Sequence, residues 1–254
     1  MHRLPTALAL ALLAGAVAAA DYVTVPAGKL TSVLSGGSAA DIALPVDAFA
    51  LRATPVTNRE FSAFSAAHPE WRRGHAPAVF ADASYLHAQE ANAALSERPV
   101  TSVSWFAAQA FCAAEGARLP TWYEWEYVAA ADATRADARR DPAWRARILA
   151  WYGQSSRHAP AAVGGPPNLY GVRDIHGLVW EWVDDFNALL VSADSRSQGD
   201  PDQLQFCGAG AISLQDRENY AILMRVALLS SLRGADTTDN LGFRCARPLP
   251  KEQK

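Results

Sequence analysis

The chain has 254 residues, half of them hydrophobic, and a net charge of −3 from 23 Lys and Arg against 26 Asp and Glu. That length and apolar content suffice for a substantial core in one large or two small globular units. The basic residues are outnumbered and scattered, so the electrostatic footprint of a nucleic-acid partner is missing.

At the N-terminus His2 and Arg3 precede an apolar run from Ala7 to Val17, and Ala18-Ala19-Ala20 supplies small residues before Asp21. This is the layout of a secretory signal peptide over residues 1–20, with a mature domain over residues 21–254. The run is shorter than the roughly 20 residues of a membrane helix, and no later segment is long enough, so no membrane span is expected. A helix docked on the domain is the alternative, but such a helix would carry a polar face, which this run does not have. Export to the periplasm is the expectation. In that oxidising compartment two of the three cysteines, Cys112, Cys207 and Cys245, can pair and one is left over.

Tyr22-Val23-Thr24-Val25 and Ile42-Ala43-Leu44-Pro45-Val46 predict short strands, with a turn at Ser35-Gly36-Gly37-Ser38 between them. Thr57 or Asn58 can cap a helix that presents Phe61 and Phe64 on its apolar face. A second helix is predicted from Trp105 to about Gly116, where glycine can take the left-handed conformation that ends it. Pro120 and Thr121 suit the start of a third, from Trp122 to about Ala131, with Trp122, Trp125, Glu126 and Ala129 toward the core. Arg118 reads as a buried partner for Glu126. The Ala-, Arg- and Asp-rich stretch from Asp132 to Arg147 reads as an exposed helix, and Ala159 to Pro167 as a loop.

Three motifs carry the strongest information. Arg118-Leu119-Pro120-Thr121-Trp122-Tyr123-Glu124-Trp125-Glu126-Tyr127, Gly171-Val172-Arg173-Asp174-Ile175-His176-Gly177-Leu178-Val179-Trp180-Glu181-Trp182 and Asn240-Leu241-Gly242-Phe243-Arg244-Cys245 together closely resemble the sulfatase-modifying-factor family, founded on the formylglycine-generating enzyme. The block from Thr54 to Phe64 resembles the segment that leads into the family's first helix. The resemblance implies an α+β fold, related to C-type lectins, with little regular secondary structure. It also implies a disulfide between Cys112 and Cys245, since these positions match bridged cysteines of the family, and Cys207 would then be free. Such a bridge stabilises by roughly 4–5 kcal/mol in the chain-entropy model.

The resemblance further implies a structural calcium ion at Asp174, Gly177, Val179 and Glu181, two through side-chain oxygens and two through backbone carbonyls. A hard cation takes about six to eight oxygens, and a turn ending in a carboxylate can wrap one. The residues alone leave a second reading open, in which Asp174 and Glu181 cap and salt-bridge a turn. A further calcium site of the family draws on an asparagine-rich stretch that has no counterpart between residues 132 and 167.

Catalysis in the founding enzyme rests on two cysteines after an Arg-Gly-Gly-Ser-Trp motif, which bind copper and activate oxygen; soft thiolates suit a cuprous ion. Here the corresponding stretch runs from Phe206-Cys207-Gly208 to Asn219-Tyr220, with Ser213 and Glu218 at the cysteine positions. Formylglycine generation by the copper route is therefore not expected. The ergothioneine-pathway branch uses a His-x-x-x-His-x-Glu segment, which the six histidines do not form. Phe206-Cys207-Gly208, Tyr220, Ser230-Ser231-Leu232 and the segment from His68 to Gly74 with Pro77 and Phe80 look more like two exported branches. One oxidatively matures the pyoverdine chromophore, and the other accompanies copper nitrite reductase.

The leading expectation is oxidative maturation of a secreted metabolite or an exported enzyme. Cys207, Arg217, Glu218 and Tyr220 are the candidate residues, since a thiol, a carboxylate and a phenol can together handle proton transfer. The competing reading is a binding or accessory protein that keeps the scaffold without the chemistry. Its partner would be a small-molecule metabolite or an exported protein.

Overall fold

The computed structural model describes residues 20–32, 43–87, 97–152, 160–189 and 220–250. The leader, the Ser35–Ser38 turn, Cys207, Arg217 and Glu218 lie outside the described residues. Strands β1 (Tyr22–Val25), β4 (Phe49–Arg52) and β7 (Ala246–Pro248) form an antiparallel sheet in the order β1-β4-β7. Strands β2 (Gly28–Leu30) and β3 (Leu44–Val46) form a hairpin. β5 (Trp180–Glu181) and β6 (Leu241–Gly242) pair in parallel. The helices are α1 (Asn58–Ala67), α2 (Trp105–Ala114), α3 (Trp122–Ala129), α4 (Pro142–Tyr152) and α5 (Tyr220–Ser230). This is the expected α+β architecture.

Each early helix begins where its cap dictates. Thr57 caps α1 in a capping box with Glu60, and Thr121 caps α3 in the same way with Glu124, so orphan amides at both starts have partners. Ser104 accepts from the Ala107 amide at the start of α2. That helix ends at Gly116, whose φ of +66° is the left-handed stop. The faces pack as the pattern requires. Phe61 of α1 lies 5.9 Å from Phe111 of α2 and 6.1 Å from Phe243, and Phe111 lies 5.4 Å from Phe243. Beside this aromatic knot Cys112 and Cys245 are bridged across a sequence separation of 133, with Cα atoms 5.5 Å apart. The bridge ties α2 to the chain just before β7.

Two expectations change. Arg118 pairs with Glu124, through two contacts of 2.7 and 2.6 Å, and not with Glu126. Residues two apart on a helix point about 200° apart, so Glu124 meets the cap segment while Glu126 faces inward. Glu126 there accepts from Ser32 at 2.6 Å and Trp122 at 2.8 Å, with Arg139 at 3.4 Å. Residues 132–141 are a loop rather than a helix. The Asp132 carboxylate takes the amides of Thr134 and Arg135 at 2.8 and 2.7 Å, the local competition by which a short acidic side chain displaces helical bonds. Helix α4 starts only at Pro142, where proline's missing N–H costs nothing, and Asp141 caps it through the Ala143 amide at 2.8 Å. This helix is not merely surface, because Trp144 and Ile148 are buried. Among the described residues no helix is long and apolar enough to cross a membrane.

Candidate functional site

The three sequence motifs converge on one carboxylate. Pairing of β5 with β6 sets Glu181 beside Gly242, with the Trp182 amide on the Gly242 carbonyl at 2.9 Å and the Trp180 amide on the Asn240 carbonyl at 2.7 Å. The approach is so close that a Cβ on Gly242 would stand 2.5 Å from the Val100 carbonyl oxygen, which requires glycine. Two residues on, Arg244 turns inward. Its Nε and Nη2 reach both oxygens of Glu181 at 2.8–3.1 Å, and Trp125 Nε1 of α3 donates to the same carboxylate at 3.0 Å. Both charged side chains are fully buried.

Helix α5 adds a second guanidinium. Arg225 is buried, lies 3.6 Å over the Trp125 ring and donates through Nη2 to the Glu181 carbonyl oxygen. Its Nε is buried with no partner among the described residues. Burial, opposed in part by Glu181, lowers its pKa to about 10, so it stays charged at neutral pH. His176 stands edge-on to Trp125 at 5.7 Å and to Trp144 at 5.6 Å. Its Nε2 faces the Ala129 carbonyl at 2.8 Å and therefore carries the proton, while the covered Nδ1 has no partner among the described residues. Loss of hydration, reinforced by the positive charges of Arg225 and Arg244, lowers the imidazole to about 4. At pH 7 the Arg225 guanidinium is thus charged and the His176 imidazole neutral. Trp180 of β5 meets Tyr152 edge-to-face at 4.7 Å and Trp151 in a tilted contact at 5.7 Å.

The proposed calcium residues occupy this region in two separate hydrogen-bond groups. Asp174, at φ 57°, accepts the Gly164 and Gly165 amides at 2.7 and 3.0 Å, and Glu181 belongs to Arg244 and Trp125. Gly177 takes φ 92°, and Val179 is buried in the core. Among the described residues no three His, Cys, Asp or Glu side chains are placed to hold a metal ion. As arranged, the Asp174 and Glu181 carboxylates are each taken up by N–H donors of the chain itself. The salt-bridged turn, the other reading of Asp174 and Glu181, matches the contacts they make.

Of the catalytic candidates, Tyr220 is the first residue of α5. Arg225, on the same helix, was not singled out by sequence reasoning. A lone arginine inside Tyr220-Ala221-Ile222-Leu223-Met224-Arg225-Val226-Ala227-Leu228-Leu229 was the available signal, because a charge in an otherwise apolar helix requires a buried partner. His176 carried no comparable signal.

The sequence profile of the sulfatase-modifying factor enzyme 1-like domain matches residues 12–249. The chain belongs to this family. The family member known as formylglycine-generating enzyme in Bos taurus is 29% identical over 191 residues, covering 69% of this chain and 48% of that protein. A Bos taurus relative named inactive C-alpha-formylglycine-generating enzyme 2 is 32% identical over 162 residues, covering 59% and 50%. Hercynine oxygenase of Mycolicibacterium smegmatis is 41% identical over 93 residues, covering 34% and 22%. The chain thus spans about half the length, or less, of these relatives.

Proposed function

We propose that this chain is an exported member of the family that takes part in oxidative maturation of a secreted metabolite, such as a pyoverdine-type chromophore, or of an exported enzyme. The observation that carries export is the buried Cys112–Cys245 bridge, a bond that forms and persists in oxidising compartments, in a chain with an apolar leader. Relatives named as an oxygenase and as a formylglycine-generating enzyme support an oxidative role. The residues assigned to it are Cys207, Arg217, Glu218 and Tyr220. Two measurements test the reading. Mass spectrometry of periplasmic protein should give a chain beginning at Asp21, and a retained Met1 would sink export. The mature chain should speed oxygen uptake with an unoxidised chromophore precursor, and a rate equal to that of the protein-free control would remove the metabolite branch.

A second reading has its own support. One relative is named inactive, and the copper cysteine pair has no counterpart in this sequence, so the scaffold can serve as a binding or accessory protein, for example to copper nitrite reductase. Co-purification with an exported partner, without oxygen uptake, would favour it.

A further inference from the structure

The Arg244 guanidinium sits in a cage of oxygens. Besides the two carboxylate oxygens of Glu181, the carbonyls of Arg52 and Ala53 accept from Nη1 at 3.2 Å each, and the Arg173 carbonyl accepts from Nη2 at 3.0 Å. Carboxylate and carbonyl oxygens are what a hard divalent ion seeks. Here they face a cation that the chain itself supplies. Asp174, the other acid of the motif, is likewise met by N–H donors, from Gly164 and Gly165, and Arg173 Nη1 fastens the same loop through the Gly165 carbonyl at 2.7 Å.

We propose that Arg244 is the permanent counter-cation of the Gly171–Trp182 motif, and that the Gly164–Gly165 amides satisfy the Asp174 carboxylate oxygens, so this part of the fold is held without a divalent ion. A dication entering at Glu181 would displace N–H donors from both carboxylate oxygens and stand beside one guanidinium, with Arg225 on the same residue's carbonyl. The inference concerns the scaffold and holds whichever function is correct.

The test uses the full mature chain, dialysed against EDTA and melted in EDTA and in millimolar calcium. The expected result is one melting temperature in both, with no saturable heat on calcium titration. A site bound at a hundred times its Kd would raise Tm by about 5–10 °C in a chain of this length, and that rise would overturn the proposal. Asp174→Asn gives an independent readout. It should lower Tm by the same amount with and without calcium, whereas a loss that calcium restores would also overturn the proposal. If that variant does not fold, the titration of the unaltered chain decides alone.

Discussion

Arg244 donates all five of its guanidinium N–H groups inside the protein, and Glu181 accepts the share that carries charge compensation. The other acceptors are carbonyls at the end of β4 and at Arg173. One side chain therefore joins the sheet, the β5–β6 pair and the motif loop. Its removal leaves a buried carboxylate with the Trp125 indole donor but without its guanidinium, the costly half of a broken ion pair. Arg244→Met should lose about 3–5 kcal/mol, and Glu181→Gln a loss of the same order. Replacing both, with Met and Leu, should cost less than the sum, because no unpaired charge remains, though the stranded carbonyls keep it from being neutral. Urea midpoints at constant slope measure all three.

His176 predicts a pH dependence of defined sign. Its folded pKa of about 4 lies below the ordinary value of 6.5, so above 6.5 both states hold it neutral and nothing is gained or lost. As pH falls from 6.5 toward 4 the unfolded chain takes up the proton first, and stability declines. Asp185 opposes this. Burial raises its carboxyl to about 6 from 3.8, so the folded chain takes up that proton first and stability grows as pH falls from 6 toward 3.8. The unaltered chain should therefore show a shallow profile between pH 4 and 6. His176→Gln should reveal the Asp185 slope alone, with stability rising on acidification, and Asp185→Asn the reverse. Parallel profiles for the two variants would refute both assignments.

The sequence was legible where local chemistry decides the outcome. Thr57 or Asn58, and Pro120 with Thr121, announce helix starts, Gly116 a helix stop, and the aromatic faces at Phe61, Phe64, Trp122 and Trp125 their burial. The family motifs supplied what propensity could not, namely a fold with two-residue strands and a bridge over 133 positions. What stayed hidden was partner choice among long charged side chains. Arg118 lies within reach of two glutamates in sequence, and only the 100° step per residue of α3 selects Glu124. The same holds at Glu181, where one carboxylate serves a calcium ion or an arginine equally well on paper. The arginine comes from 63 residues further along the chain.

Arg225 is predicted to resist conservative exchange. Its planar head lies 3.6 Å over the Trp125 ring while Nη2 donates to the Glu181 carbonyl, a combination that the round ammonium of lysine cannot reproduce. Arg225→Lys should cost about 1–2 kcal/mol from the lost cation–π contact, together with a changed Trp emission spectrum. An unchanged spectrum and midpoint would show that the stack contributes nothing.

Reduction of the Cys112–Cys245 bridge offers the sharpest test of the core. The two sulfurs are fully buried between α2 and the chain leading into β7, so thiol reagents reach them only when that part of the fold opens. Slow loss under native conditions and fast loss in urea should follow. Once open, the unfolded chain regains the freedom of a loop spanning 133 positions, worth about 4–5 kcal/mol in the chain-entropy model. For a chain of this length that corresponds to a fall in Tm of about 10–15 °C. The Cys112→Ala, Cys245→Ala double variant should melt near the reduced protein and be indifferent to reductant. If it melts with the oxidised chain instead, the Phe61, Phe111 and Phe243 knot holds α2 to the β7 strand by packing alone, and the bridge is dispensable.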